Sequence, residues 1–168
     1  MATFNGEKYV KKQLETILSQ KSVDVNILIS DDFSTDKTTK IINKYSGNFK
    51  NINILESKNK FGSAAANFFN LVNNCDLSNY DYVAFSDQDD IWFKDKLVDG
   101  ILQLEELNAD AFSSDVIALW PEKDKKTLLK KSFAQKKYDY LFEGPGPGCS
   151  QIFTSSSFCK FKDFIIKN

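Results

Sequence analysis

Three carboxylates in four positions, Asp87-Gln88-Asp89-Asp90, follow the short apolar run Tyr82-Val83-Ala84-Phe85 and precede Ile91-Trp92-Phe93. A run of that kind predicts a buried strand. Carboxylates at the C-terminal end of a strand in an open α/β sheet sit where such sheets bind ligands. Asp87 and Asp89, two apart at a strand end, can converge on Mg²⁺ or Mn²⁺. Those hard cations take oxygen ligands and are shared between a carboxylate or two and a substrate's phosphates. A solvated acidic turn is the plain alternative, and the apolar residues on both sides argue against it. A second acidic strand end, Asp31-Asp32, follows an expected strand over Val25–Ile29. A nucleotide laid across the two ends would offer its base and ribose to one and its diphosphate and metal to the other. Asp32 can accept from a pyrimidine imide N–H or serve as a turn carboxylate; Asp31 is assigned the turn role. Asn59 and Gly62 can shape the pocket wall, and as turn residues they need no function at all.

These groups need elements to hold them. Val10, Leu14, Ile17 and Leu18 recur at helical spacing, with Lys8, Lys11, Lys12 and Glu15 outside. Ser34-Thr35-Asp36 supplies helix-start chemistry for a helix over Lys37–Tyr45. Ile52–Leu55 reads as a third strand, 59–62 as a turn, and Phe68, Leu71 and Val72 as the apolar stripe of a helix. A further helix runs from about Lys94 to Leu107, then another strand over Asp110–Trp120. Met1–Phe4 is too short for a core strand. Trp92, between Ile91 and Phe93, is expected to pack beneath the acidic turn and hold its geometry. The alternation of strand and helix predicts a parallel sheet with helices on both faces, as one domain over 1–168. Residues 121–137 read as an exposed charged loop, a solvated lysine face with contact to an anionic membrane as the alternative. Gly144–Gly148 is expected to be a rigid turn before a short strand over Ser150–Thr154.

Composition removes whole classes of chemistry. The 168 residues contain no histidine, and every basic residue is lysine. Histidine acid–base catalysis, histidine–metal sites and arginine clamps are therefore absent from this chain. Net charge is −1 with interspersed signs, which carries no nucleic-acid footprint. Cys75, Cys149 and Cys159 share no metal-like spacing, and an odd count argues against a disulfide framework. A reduced, cytosolic chain is the simple reading, with peripheral membrane attachment left open. No apolar run approaches a membrane span and there is no secretory signal.

Other chemistries fit less well. An aspartate-nucleophile phosphatase would make Asp87 the nucleophile and Asp89 the acid, but Ile91 stands where Thr or Val is usual and no later lysine and acidic pair fits. An EF-hand loop needs glycine and glutamate where this chain has Trp92 and Val98.

Four segments in order carry a resemblance: Ala2-Thr3-Phe4-Asn5-Gly6-Glu7-Lys8-Tyr9, Asp31-Asp32-Phe33-Ser34-Thr35-Asp36, Asn59-Lys60-Phe61-Gly62 and Phe85-Ser86-Asp87-Gln88-Asp89-Asp90-Ile91-Trp92. Together, over roughly residues 1–110, they resemble family 2 glycosyltransferases, in particular the rhamnosyltransferase-like bacterial group that builds surface polysaccharides. Gly148–Phe153 is similar to the family's acceptor-side strand. The resemblance implies a three-layer, mainly parallel GT-A fold, with a donor half over 1–110 and the start of an acceptor half over 111–168. It also implies a UDP- or dTDP-linked sugar donor, a saccharide or lipid-linked acceptor and inversion at the anomeric carbon. Thr3, Asn5 and Glu7 fall on the first nucleotide loop and Asp32 on the base-contacting aspartate. Asp87 and Asp89 fall on the Asp-x-Asp pair, with Asp89 the direct ligand of Mg²⁺ or Mn²⁺.

The pattern is departed from at three places. The family's first strand lies ahead of Ala2-Thr3, where almost none of it is present. Its catalytic base lies on a helix after the acceptor-side strand; Asp163 is the only carboxylate after Glu143, and its surroundings do not match. The chain is therefore expected to be the donor-binding portion of a longer enzyme, with a non-catalytic sugar-nucleotide binding module as the alternative. Asp115 is the one other strand-borne carboxylate to consider as a base, and the resemblance sets it nearer the sugar. Phe33 occupies a position that is more often glycine.

Overall fold

The fold was analysed in a computed structural model, which describes all residues except 135, 139, 140, 142, 143, 145 and 168. Three parallel strands form the first sheet: β1 (Ala2–Thr3), β2 (Ile27–Asp31) and β3 (Ile52–Leu55), in that order. Ala2 pairs with Ser30, and Ile27 to Ser30 run alongside Ile52 to Leu55. Between them lie α1 (Val10–Leu18) and α2 (Thr38–Asn48), and α3 (Ala64–Asn74) follows β3. Alternation along β2 distributes the helices. Ile27 and Ile29 join Val10, Leu14, Ile17 and Ile42 in the main core, whereas Ser30 accepts a hydrogen bond from Asn70 of α3 (3.0 Å). The sheet is therefore covered on both faces, as the strand–helix alternation predicts.

The second half differs from a simple continuation of that sheet. β4 (Tyr82–Ala84) pairs antiparallel with β8 (Ile152–Thr154), which also pairs antiparallel with β5 (Ala111–Phe112). The strand that leads to Asp87 is half-buried, and its ladder partner among the described residues is antiparallel. The Gln88 side chain joins the two sheets: its Oε1 accepts from Phe4 N and its Nε2 donates to Phe4 O, both at 2.9 Å. One amide thus fills the ladder positions that a strand beside Phe4 would use. Gly6 leaves room for this pairing, because a Cβ on it would push the Gln88 amide away from Phe4. On this side α4 (Lys96–Glu106) and α5 (Ser155–Lys167) cover the sheet. A chain of aromatic rings, Phe68, Phe85, Phe153, Phe158 and Phe161, welds α3, β8 and α5 together with centroids 5.5–6.2 Å apart.

Several expectations are corrected. The stretch 110–120 is two strands in different sheets, β5 and then β6 (Val116–Trp120), separated by Ser113, Ser114 and Asp115. The predicted loop over 121–137 contains a 3₁₀ turn at Pro121–Lys123 and a strand, β7 (Lys125–Leu129), paired antiparallel with β6. Its lysines masked the strand, because both faces of this two-stranded ribbon meet solvent and no period of two survives. Ala2–Thr3, read as too short, is a buried strand. Of the predicted 144–148 turn, residue 145 lies outside the described residues; Gly148–Ser150 is a 3₁₀ turn.

Phe33 is held at φ 58° and is 46% exposed. A side chain in the left-handed region costs roughly 1–2 kcal/mol, and an exposed ring returns little packing. Phe33→Gly is therefore expected to raise stability by about 0.5–1 kcal/mol, because glycine's extra freedom in the unfolded chain offsets part of the relief. Urea unfolding checks this through the midpoint at unchanged slope. A lower midpoint would mean that the ring packs against its surroundings.

Candidate functional site

The loops that follow β1 and β2 are tied together before either meets a ligand. Asp31 accepts from the Thr3 hydroxyl (2.7 Å), Ser34 N (2.8 Å) and the Ser34 hydroxyl (2.7 Å). Asn5 accepts from Thr35 N (2.8 Å), and Glu7 accepts from Lys37 N (2.9 Å). In return Gly6 N donates to Thr38 Oγ1 (2.7 Å) and Glu7 N to Asp36 (3.0 Å). Asp31 thus fills the turn role expected of it. Asn5 and Glu7 act here as ties between two loops.

Asp32 sits one residue past the end of β2 and is only 4% exposed. Its two carboxylate oxygens accept from Phe61 N and from Gly62 N (2.9 Å). A buried carboxylate is tolerated because backbone donors meet it. Gly62 can present its N–H because φ is +76°, a conformation that side chains disfavour. Asp32 therefore holds the 59–62 loop across the strand ends and forms one wall of a cleft of about 330 Å³. Thr3, Gly62, Ser63, Asn67, Asp87 and Asp89 also line it. Of the residues singled out in sequence, Thr3, Asp32, Gly62, Asp87 and Asp89 meet at this cleft. Asn5, Glu7 and Asn59 are not among its lining residues, and Asp115 lies at the base of the β6–β7 ribbon.

Asn67 and Gln88 were missed. Asn67, 2% exposed, donates to the carbonyls of Thr3 (3.2 Å) and Ser30 (3.0 Å), while its Oδ1 is buried without a hydrogen-bond partner. Its signal was available: a polar side chain four residues before Leu71, on the stripe that faces the core. Gln88 carried none, since its role depends on where Phe4 lies.

The acidic turn is electrostatically tense. Asp87 is half-buried, and its carboxyl is pushed up to about 6 by burial and then by the charges of Asp90 and Asp89. Burial likewise raises Asp90, whose Oδ2 has no partner. Cys149 closes the group from the far side of the fold; one donor atom from each of Asp87, Asp90 and Cys149 lies within 4.8 Å of the others. Burial, followed by the two carboxylates, pushes the Cys149 thiol up to about 12. Such carboxylates fit a hard divalent cation, which would cancel the repulsion between them. A protonated thiol contributes nothing to Mg²⁺ or Mn²⁺ binding, so the oxygens would carry it, with Asp89 the exposed member facing the cleft.

Trp92 lies beneath this turn at 7% exposure, within the main core. Its N–H donates to Thr16 Oγ1 (3.2 Å). Gln13, fully buried, accepts from Trp92 Nε1 (3.2 Å) and Ser86 Oγ (2.8 Å) when its amide is oriented to satisfy both. The Lys96 ammonium sits 3.9 Å over the indole, and burial brings it down to about 8. Gln20 bonds Phe93 O (2.7 Å) and Leu97 N (3.0 Å). Helix α1 and the residues after it thus set the shape of the turn.

A covered α/β sheet with two acidic strand ends on one cleft is the architecture of GT-A transferases. S. aureus TarS in complex with UDP superposes with a TM-score of 0.74 at 19% identity, over 98% of this chain and 47% of TarS. The mannosyltransferase PcManGT from Pyrobaculum calidifontis, in complex with GDP-Man and Mn²⁺, gives 0.65 at 16% identity, over 95% of this chain and 44% of its own. The chain belongs to glycosyl transferase family 2, whose family model matches residues 1–161. Among its relatives, the dTDP-rhamnosyl transferase RfbG of Shigella flexneri is 48% identical over the whole of this chain and 58% of RfbG. The UDP-Glc:alpha-D-GlcNAc-diphosphoundecaprenol beta-1,3-glucosyltransferase WfaP of Escherichia coli is 35% identical over 62% of this chain and 39% of WfaP. The chain therefore spans about 40–60% of the length of these curated relatives.

Proposed function

We propose that the chain carries the donor site of an inverting glycosyltransferase of surface polysaccharide synthesis. It would move a sugar from a dTDP- or UDP-linked donor to a saccharide or lipid-linked acceptor. The observation behind this reading is that Asp32 from one strand end and Asp87 and Asp89 from another line one cleft. Close identity to a dTDP-rhamnosyl transferase supports a dTDP-sugar and the polysaccharide context. The similarity to WfaP, whose name specifies a diphosphoundecaprenol-linked acceptor, supports a lipid-linked one. In this reading residues 1–110 are the donor half and the acceptor half begins at 111.

Asp87 and Asp89 would hold Mg²⁺ or Mn²⁺, which, when bound, neutralises the leaving diphosphate as a Lewis acid. Asp32 accepts the imide N–H of a pyrimidine through lone pairs that Phe61 and Gly62 leave free. Thr3 and Gly62 shape the walls, while Asn5 and Glu7 keep the nucleotide loop fixed and Gln88 holds Phe4 against the acidic turn. The acceptor hydroxyl attacks the anomeric carbon opposite the diphosphate, and the bond to the diphosphate oxygen breaks. The hydroxyl proton passes to a carboxylate base, a role assigned to none of these residues. Asp115 is left out of the chemistry: its oxygens already accept from Lys131 N, Ser132 N and the Ser132 hydroxyl, and these bonds hold its carboxyl below the usual range. A location on the cytoplasmic side suits a nucleotide-sugar donor and the three free cysteines.

Calorimetry with UDP and dTDP tests the metal site. Binding is expected to depend strongly on Mn²⁺ in the wild type, and Asp89→Ala to lose that dependence while keeping the fold. Unchanged Mn²⁺ dependence in the mutant would remove Asp89 from the metal site. Asp32→Ala separates the base contact from the loop tie. It is expected to lower the melting temperature, because Phe61 and Gly62 lose their acceptor, and to weaken pyrimidine nucleotides severalfold to about tenfold more than GDP, the effect of about 0.5–1.5 kcal/mol for one hydrogen bond. Equal losses for UDP and GDP would leave Asp32 a loop tie alone.

A further inference from the structure

The β6–β7 ribbon has no place in the donor site, and its surface is unusual. Its strands pair with each other and with no other strand among the described residues. Cross-strand pairing puts Ile117 opposite Leu128 and Leu119 opposite Lys126 on one face, and Trp120 opposite Lys125 on the other. Ile117, Leu119, Trp120 and Leu128 are 47%, 45%, 41% and 60% exposed. A two-stranded ribbon is marginal in water by itself, and here it also shows water its largest apolar side chains. The ribbon is closed at its base, where Asp115 accepts from the backbone of Lys131 and Ser132.

The charge around those apolar groups is predominantly positive. Residues 121–137 hold seven lysines against Glu122 and Asp124, a net of +5 in a chain whose total is −1. Lys125 lies 5.4 Å over the Trp120 ring, so cation and indole share one edge of the ribbon. Exposed leucine and isoleucine on one face, an indole on the other and lysines whose stems reach outward match a ribbon set edgewise into the boundary between acyl chains and anionic headgroups. An acidic protein would satisfy the lysines but would leave Ile117, Leu119 and Leu128 without a reason to be exposed together. We propose that the β6–β7 ribbon is a docking surface for an anionic lipid bilayer, with Trp120 at the headgroup level and the lysines on the phosphates. The inference stands independently of which nucleotide sugar is used.

The two tryptophans make the test direct. Trp92 is buried, so a lipid-induced change in emission reports Trp120. Mixed with vesicles containing phosphatidylglycerol, the chain is expected to co-sediment and its emission to shift to the blue; with pure phosphatidylcholine it should do neither. Each lysine near such a surface contributes a factor of about five, so Lys125→Gln with Lys126→Gln should weaken vesicle binding about thirtyfold. Both lysines are exposed, and an unchanged far-ultraviolet spectrum and melting temperature would confirm an intact fold. Leu128→Ser should reduce the blue shift more than the sedimentation, because it removes insertion and leaves the charge. Equal binding to neutral vesicles, no binding to anionic ones, or binding indifferent to the lysine changes would overturn the proposal. A blue shift that grows with protein concentration in the absence of lipid would overturn it in favour of a second copy of the chain.

Discussion

Trp92→Ala is expected to cost the ligand-free domain about 3–5 kcal/mol, the range for removing a large aromatic side chain from a core. The indole does three things at once. It fills the space under the acidic turn within the main core, its Nε1 has Gln13 as acceptor, and its face receives the Lys96 ammonium. Alanine would leave a cavity, a buried glutamine short of one partner and a buried ammonium without its ring. Trp92→Phe separates these effects, since it keeps most of the volume and loses the indole N–H; a loss of about 1–3 kcal/mol is expected. Urea unfolding followed by far-ultraviolet circular dichroism gives both numbers. If Trp92→Ala were as stable as wild type yet unable to bind a nucleotide, the indole would be a ligand platform and the packing account would fail.

Trp92 was legible in the sequence because an indole between two apolar neighbours, after a strand and a charged turn, has few places to go except inward. The first half of the fold was legible for a similar reason. Val10, Leu14 and Ile17 keep helical period, and Ile27, Ile29 and Ile52 sit on short apolar runs, so pattern and packing agree. The second half was harder. β5 and β6 lie within one continuous stretch and join different sheets, a division set by which strand each one finds. β7 was hidden by Lys125 and Lys126 because both of its faces meet solvent.

The site divides along the same line. That Asp87, Asp89 and Asp32 meet at one cleft was readable because each follows an apolar run that had to become a strand of one fold. Asn5 and Glu7 face the 34–38 loop in the structure, a partnership set by the return of the chain thirty residues later. Cys149 could not have been placed against Asp90 from spacing, since 58 residues and three strands intervene. Gln88 and Asn67 work through backbone atoms of Phe4, Thr3 and Ser30, and backbone partners leave no mark on composition.

The burial of Asp87, and then its closeness to Asp90 and Asp89, leads to the other large effect. Asp87 titrates at about 6 in the fold against 3.8 in an unfolded chain. The folded state thus binds its proton more tightly than the unfolded state does, and ionising it works against folding. That cost is absent below about pH 4, where the group is protonated in both states. It grows as pH rises towards 6 and is complete above, where solvent screening of this partly exposed group keeps it below the roughly 3 kcal/mol that 1.36 kcal/mol per pH unit would give. Asp87→Asn removes the charge at every pH. In metal-free buffer the variant is expected to be more stable than wild type by about 1–3 kcal/mol at pH 8, with the difference shrinking to nothing by about pH 4. The same change should abolish stabilisation by Mn²⁺ with dTDP, since a neutral amide beside Asp89 and Asp90 no longer offers the charge a divalent cation needs. A residue that lowers stability without ligand and is needed to bind one has a functional reason to be where it is. Melting curves at pH 4, 6 and 8, each with and without Mn²⁺ and dTDP, measure both halves. A variant less stable than wild type at pH 8 would show that the Asp87 charge is held by favourable partners, and the repulsion on which its assignment as a metal ligand rests would be absent.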